Sequence, residues 1–115
     1  TVPVGTHVSY GGTFVAERET KIATLGVGYG DGYPRSLSNK GSVSLAGQRA
    51  PIIGAICMDQ MLLDVTDLGE IAVGEVASLI GLEIPARELA GLAETFSHEI
   101  ITRIMSRVPR RYLVD

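Results

Sequence analysis

Cysteine, aromatic residues and long apolar runs are all scarce in this sequence. Cys57 is the single cysteine among 115 residues, which excludes an internal disulfide framework and favours a reducing compartment. No apolar run approaches the roughly 18–20 residues of a membrane-spanning helix, and the first residues form no signal-peptide pattern. We therefore expect a cytoplasmic protein in which this domain makes no direct membrane contact.

A large excess of charge of one sign is also missing. The 10 basic and 13 acidic residues leave a formal net charge of −3, which offers no electrostatic basis for binding nucleic acid. With 45% hydrophobic residues, the chain is too apolar to be disordered and long enough for one domain with a core. Because it opens at Thr1-Val2-Pro3 in apparent strand context, without an initiator methionine, we expect 1–115 to be part of a longer protein.

The residue pattern predicts a mainly β fold, a small β-barrel-like domain with a short helical pair near the C-terminus. Short β-rich runs bounded by glycine turns predict strands at 7–10, 13–16, 21–27, 42–46, 52–57, 61–65 and 76–80. Apolar residues at helical spacing predict helices at 86–94 and 97–108, and 111–114 is a candidate closing strand. Four arginines near the end of the second helix, at 103, 107, 110 and 111, are expected to oppose its dipole.

Glycine recurs at every second position from Gly26 to Gly32, and Pro34 follows. The dinucleotide fingerprint needs a different spacing and a helix directly after it, so nucleotide binding is not favoured. The pattern predicts a constrained loop with unusual backbone angles. Such a loop is able to present Tyr29, Asp31, Tyr33 and Arg35 to a binding site.

Metal binding and cysteine catalysis both lack a supporting pattern. His7, His98, Cys57 and Asp59 show no diagnostic ligand spacing, and we predict no metal site. Nucleophilic catalysis by Cys57 needs a histidine base, and nothing in the sequence places one beside it. A buried small thiol is the favoured interpretation of Cys57.

Four motifs in order carry a resemblance to a known family. They cover residues 8–14, 26–35 and 50–60, and the closing pair 97–100 and 107–110. Together they resemble the C-terminal β-domain of the alanine racemase family. The resemblance implies a homodimeric enzyme that interconverts L- and D-alanine, using pyridoxal 5′-phosphate bound by an N-terminal α/β barrel absent from this sequence.

The resemblance also implies roles for individual residues. Tyr10 maps to the catalytic tyrosine, a proton-transfer base that is supplied to the partner subunit's active site. Met58 maps to the methionine whose backbone N–H approaches the substrate carboxylate, with Asp59 beside it. Tyr29 maps to a tyrosine lining the way to the substrate. These three residues, Met58, Asp59 and Tyr29, are our substrate-binding candidates.

Other positions map to the rim of the family's site. Arg35 and Ile104 fall at its entrance, and Ser106 falls near the cofactor phosphate. Two positions depart from the family pattern: Ser106 replaces a tyrosine, and Ala55 replaces an entrance arginine. Both departures leave a serine racemase open as an alternative, including one whose cytoplasmic domain is tethered to a membrane. A non-catalytic dimerisation or binding module is the other alternative.

The two lysines match no functional position of the family. Lys21 reads as a strand-edge charge and Lys40 as a loop charge, so neither corresponds to the lysine that holds the cofactor. We therefore expect that this domain does not bind pyridoxal phosphate covalently and is inactive in isolation.

Overall fold

The computed structural model describes residues 1–113, with Tyr10 described through its backbone alone, and its fold is mainly β. The strands in chain order are β1 (His7–Val8), β2 (Phe14–Val15), β3 (Ile22–Leu25), β4 (Ser42–Leu45), β5 (Gln48–Ile53), β6 (Met61–Asp64) and β7 (Ala77–Ser78). β1 and β2 form a two-stranded sheet, and the others form a curled sheet in the order β3-β6-β5-β4-β7. Every pairing is antiparallel. The predicted fold class is confirmed.

Two short helices follow the sheet, α1 (Ala86–Leu92) and α2 (Ser97–Thr102). Each contributes buried residues to the core that it shares with the sheet, α1 through Leu89 and Ala90 and α2 through Ile100. Three single 3-10 turns interrupt the β region, at Tyr10–Gly12, Tyr29–Asp31 and Arg35–Leu37. These turns carry the residues that the sequence motifs single out.

One apolar core joins the sheet to both helices. Its largest fully buried side chains come from strands, helices and the connections between them: Leu37, Val43, Ile52, Ile56, Met61, Leu63, Val65, Ile84, Leu89 and Ile100. The alternation of buried and partly exposed residues along β6 is typical of a strand with one face on a core. The loops pack on this core, and their outer ends remain exposed to solvent.

The β4–β5 hairpin corrects one predicted boundary. Leu45 and Gln48 are paired, so the turn consists of Ala46 and Gly47 alone, and both have positive φ angles of 53° and 75°. Two consecutive residues of this kind form the tight hairpin turn whose twist suits antiparallel strands. β5 therefore begins at Gln48, where the sequence suggested a turn. It ends at Ile53 because Gly54, with φ at 75°, leads the chain out of the sheet.

The second helix is shorter than the periodicity predicted. It ends at Thr102, and the Met105 N–H then donates to the Asp31 carbonyl at 3.0 Å instead of continuing the helix. Of the four arginines expected at the helix terminus, Arg103 alone caps it, so the dipole interpretation is wrong for the other three. Residues 9 and 10 also leave the predicted first strand, and no strand forms over 111–113. Val114 lies outside the described residues.

Candidate functional site

The turn that carries Tyr29 is attached directly to the loop that carries Met58. The Tyr29 N–H donates to the Cys57 carbonyl at 3.0 Å, and the Gly30 N–H donates to the Met58 carbonyl at 2.8 Å. Two consecutive backbone hydrogen bonds hold the turn in one register on the loop. The side chains of Tyr29 and Met58 remain 42% and 60% exposed, so both project from this junction toward solvent.

Glycine makes that close approach possible. A Cβ on Gly28 would lie 2.1 Å from the Cys57 carbonyl oxygen, and one on Gly30 would lie 2.9 Å from the Met58 carbonyl oxygen. On the other side, a Cβ on Gly32 would lie 2.1 Å from the Arg103 carbonyl oxygen, and its φ is +105°. At Gly28, Gly30 and Gly32 the backbone therefore lies directly against two neighbouring loops, with no side chain in between. The predicted constrained loop is confirmed, but its constraint is mainly steric, because Gly32 alone has a positive φ within 26–35 and most of the unusual backbone angles expected there are not found.

Ser9 ties the turn that begins at Tyr10 to the same loop. Its hydroxyl donates to the Ala55 carbonyl at 2.8 Å, and its φ is 72°, which L-residues rarely adopt. A Cβ on Gly54 would lie 2.3 Å from the Ser9 Cβ, so the two segments touch. An uncommon backbone angle beside a candidate catalytic residue is a feature that functional sites often retain. The side chain of Tyr10 lies outside the described part of the structure.

A third turn braces the loop from the side of Arg35. The Ser38 hydroxyl donates to the Arg35 carbonyl at 2.7 Å and accepts the Ile56 N–H at 2.9 Å. Asn39 accepts the Gly54 N–H at 2.7 Å. These side chains form hydrogen bonds with backbone groups of an irregular loop. Those groups have no neighbouring strand to pair with. Arg35 itself is exposed and forms no ion pair with any described residue.

The segment that carries Ser106 is anchored through Asp31. The Asp31 carboxylate accepts the Gly28 N–H at 3.0 Å and forms an ion pair with Arg107. Its backbone carbonyl accepts the Met105 N–H at 3.0 Å. Ser106 sits between these two attachments and is exposed. The structure thus places Ser106 on the same side of the domain as the Tyr29 turn.

The Met58 loop contains a backbone N–H that has no acceptor among the described residues. Cys57 and Gln60 close it, with the Cys57 N–H donating to the Gln60 carbonyl at 2.9 Å. Among the described residues, the Met58 N–H donates to no acceptor, and the Asp59 side chain forms neither a hydrogen bond nor an ion pair. Met58 and Asp59 are both exposed. An exposed N–H at a tight loop is suited to an anionic group such as a carboxylate.

An apolar groove of about 470 Å³ lies between the segment 76–80 and the end of α2, with Asp31 in its lining. Of the residues to which the family resemblance gave a role, Ile104 alone lines it within the described part of the chain. Tyr33 also lines it, and its buried hydroxyl has no hydrogen-bond partner among the described residues. Burial, followed by the nearby Glu88 carboxylate, raises the pKa of Tyr33 well above its usual range. A phenol held neutral in this way is not a base.

Several residues of the site escaped sequence reasoning. Ser9, Ser38 and Arg107 act through contacts with residues 18 to 76 positions away, which no local pattern reports. Arg107 was assigned to the helix terminus, and its actual partner is Asp31. The signal in the sequence that pointed to Ser9 was its position directly before Tyr10.

Other site types find no support in the described residues. No group of three or more His, Cys, Asp or Glu side chains is placed to hold a metal ion within 1–113. Cys57 is half-buried in the same span, with its thiol 3.8 Å from the Ala55 carbonyl oxygen. No helix of the described chain has the length and apolar character needed to cross a membrane.

Comparison with known proteins agrees with this geometry. Residues 1–112 match the family model of the alanine racemase C-terminal domain. Alanine racemases from Halothermothrix orenii and Symbiobacterium thermophilum are each 50% identical to the chain, over 96% and 94% of its length. The chain spans about 30% of the length of these curated relatives.

Solved structures match the fold closely. An alanine racemase from Bartonella henselae, solved with covalently bound pyridoxal phosphate, superposes with a TM-score of 0.94 at 38% identity. It covers 97% of this chain, which corresponds to 32% of that protein. The biosynthetic alanine racemase of Pseudomonas aeruginosa gives a TM-score of 0.93 at 39% identity, over 98% of this chain and 32% of its own. The chain therefore belongs to the alanine racemase C-terminal domain family.

Proposed function

We propose that this domain forms one wall of the active site of a pyridoxal phosphate-dependent racemase that interconverts L- and D-alanine. The observation that carries the proposal is the convergence of three loops, bearing Tyr10, Tyr29 and Met58, through backbone hydrogen bonds, close approaches at glycine and the Ser9 hydroxyl. The relatives named above are all alanine racemases, which favours alanine over the serine alternative.

Each residue has a role in this proposal. The Met58 N–H, which donates to no described acceptor, would bind the substrate carboxylate, and Asp59 would flank it. Tyr29, at the exposed edge of its turn, would line the path to the substrate. Arg35 and Ile104 would form the rim of the entrance. Tyr10 would take the α-proton from one face of the substrate, or return it there.

Two bases, one on each face of the α-carbon, let the proton leave one face and return to the other without moving the substrate. A free tyrosine has a pKa of about 10, so the phenol of Tyr10 needs cationic neighbours that lower its pKa. We propose that these neighbours come from the remainder of the enzyme. When bound, pyridoxal phosphate supplies the electron sink for the charge left on the α-carbon.

The residues of this chain suit one part of a pyridoxal phosphate site. Ser106, on an exposed turn, offers a hydroxyl that can donate to a phosphate oxygen. Lys21 and Lys40 are both exposed, and the family pattern assigns neither to the covalent attachment. We therefore propose that the cofactor is held by the N-terminal barrel and that this domain alone is inactive.

The test is a Tyr10→Phe variant of the full-length enzyme. We expect racemisation to fall by about 10²- to 10⁴-fold in both directions, the usual contribution of a general base. Exchange of the α-proton with solvent deuterium should persist for one enantiomer, because the base on the opposite face is intact. Chiral chromatography and proton NMR in D2O measure the two quantities.

Tyr112→Phe is the matched control, since Tyr112 is 88% exposed and lies outside the proposed site. It should racemise alanine at the wild-type rate. A Tyr10→Phe variant as active as this control would remove Tyr10 from the chemistry. A wild-type enzyme that dimerises and racemises neither alanine nor serine would favour the non-catalytic module.

The proposal includes a homodimer in the cytoplasm, with Tyr10 serving the partner subunit's site. The single unpaired cysteine and the modest net charge are consistent with such a location. Cell fractionation followed by sedimentation of the soluble enzyme tests both parts.

A further inference from the structure

Both carboxylate oxygens and the backbone carbonyl of Asp31 are bonded to neighbouring residues. Its carboxylate accepts the Gly28 N–H at 3.0 Å and pairs with Arg107, and its carbonyl accepts the Met105 N–H at 3.0 Å. The Asp31 side chain is 11% exposed, whereas the Arg107 side chain is 61% exposed. A charged group this shielded, with a charged partner and a backbone donor, is held in one geometry.

The first attachment stabilises the turn that carries Tyr29. The Gly28 N–H to carboxylate bond caps the 3-10 turn Tyr29–Asp31, and the Asp31 N–H returns a bond to the Gly28 carbonyl at 3.0 Å. Such reciprocal pairing satisfies donors that a short turn otherwise leaves free. The orientation of Tyr29 therefore depends on where the Asp31 carboxylate is held.

The other attachments stabilise the segment after α2, which bears Ile104 and Ser106. Met105 bonds to the Asp31 backbone, and Arg107 bonds to its carboxylate, so Ser106 is flanked on both sides. Arg110 folds the same segment by donating to the carbonyls of Ile104, Met105 and Val108 at 2.6 to 3.0 Å. The segment has no regular secondary structure, so these contacts define its shape.

We propose that Asp31 and Arg107 are positioning residues that set the separation between the Tyr29 turn and the Ser106 segment, and hence the width of the site between them. This inference rests on the proposed function, because it concerns the same site. The pair touches no reacting atom in this assignment. It acts by keeping two walls of the site in register before substrate arrives, so that binding need not order them.

The test uses the full-length enzyme and three variants, Arg107→Met, Asp31→Asn and the double variant. We expect Arg107→Met to raise KM for alanine by about three- to tenfold, with kcat within about twofold of wild type. Asp31→Asn keeps an oxygen that accepts the Gly28 N–H but loses the ion pair. Its KM and kcat should therefore change in the same way as those of Arg107→Met. The double variant should be no worse than either single one, because all three lose the same contact.

Arg18→Met is the matched control. Arg18 pairs with Asp67, its side chain is 52% exposed, and the pair touches neither the Tyr29 turn nor the Ser106 segment. This variant also removes an exposed arginine and breaks an ion pair with an aspartate. It should keep the wild-type KM and kcat.

Hydrogen–deuterium exchange supplies a second readout, which does not require activity. Peptides covering 28–32 and 104–108 should exchange faster in Arg107→Met than in wild type or Arg18→Met. Unchanged exchange, or faster exchange with an unchanged KM, overturns the inference. A wild-type enzyme that fails to racemise alanine defeats the proposed function instead, and the exchange measurement still decides whether the pair holds the two segments together.

Discussion

At the scale of single residues, this site depends on positions where a side chain is absent as well as on the side chains that are present. Gly28 has an extended φ of −153°, so it is not needed for backbone freedom. It is needed because a Cβ there would lie 2.1 Å from the Cys57 carbonyl oxygen, in the space that the Tyr29 turn requires. Gly26, two residues earlier, has nothing within 4 Å of its Cβ position.

The two glycines therefore predict opposite outcomes for the same substitution. Gly28→Ala in the full-length enzyme should lower the free energy of unfolding by about 1–3 kcal/mol, because the loops must separate to admit the methyl group. Gly26→Ala should leave stability within about 0.5 kcal/mol of wild type. Denaturant titration measures both. Equal stability of the two variants would mean that the contact between the Tyr29 turn and the Cys57 carbonyl is not formed.

At the scale of elements, α1 is fixed to the sheet by polar contacts at the edge of the core. Arg49 on β5 donates two hydrogen bonds to the Glu88 carboxylate on α1, at 2.6 and 2.7 Å, and a third to the Glu83 carbonyl. The same pairing lowers the pKa of Glu88 below its usual range. α1 has 7 residues and is too short to be stable alone, so it depends on contacts of this kind and on buried Leu89.

This pair predicts a pH dependence of stability. Because the pKa of Glu88 is lower in the folded state, its contribution is complete above the unfolded pKa of about 4.5 and is lost as pH falls through the folded value. Glu88→Gln should lower Tm at pH 7, and its difference from wild type should shrink toward pH 3. Thermal melts across that range measure the effect.

Glu70→Gln is the control for that series, since Glu70 is exposed and forms no ion pair with any described residue. Its Tm should follow wild type at every pH. A Glu88→Gln variant that also follows wild type throughout would show that the Arg49 contact contributes nothing measurable, as holds for many exposed ion pairs.

At the scale of the whole molecule, the domain leaves its candidate residues on an outer surface. Tyr29, Met58 and Met105 are all more than two-fifths exposed, and the Ser106 segment is exposed beside them. No other part of the described chain lies opposite these residues to enclose a site. The chain spans about 30% of its relatives, and we propose that the active site is completed by the remainder of the enzyme, in the same subunit or in its partner.

Mixed dimers decide between those two arrangements. A full-length Tyr10→Phe subunit is paired with a full-length subunit that lacks the cofactor-binding lysine of the barrel, and each homodimer should be inactive. If Tyr10 serves the partner's site, each mixed dimer has one complete site, and random pairing should restore about a quarter of wild-type activity. If Tyr10 serves its own subunit, one site of each mixed dimer lacks Tyr10 and the other lacks the lysine, so activity stays at the background of the homodimers. The assay is racemisation by the co-purified mixture.

Much of the architecture was accessible from local pattern. The strand alternation around Leu63, the break at the glycine-rich loop and the helical spacing of Leu89 and Ile100 are all properties of near neighbours in the chain. Boundaries were less accessible, since α2 stops at Thr102 because Met105 bonds to distant Asp31. Apolar periodicity continues past that point and carries no information about such a bond.

The sequence by itself determined the mainly β fold, because residue order and turn chemistry are local, and its motifs carried the resemblance that implied the family and the candidate residues. The tertiary structure alone decided which loops meet. Ser9 bonds to Ala55, the Tyr29 turn rests on the Met58 loop, and Arg107 pairs with Asp31 across 76 positions. Those contacts depend on where a folded core places the ends of its strands, and no spacing along the chain reports a distance through space.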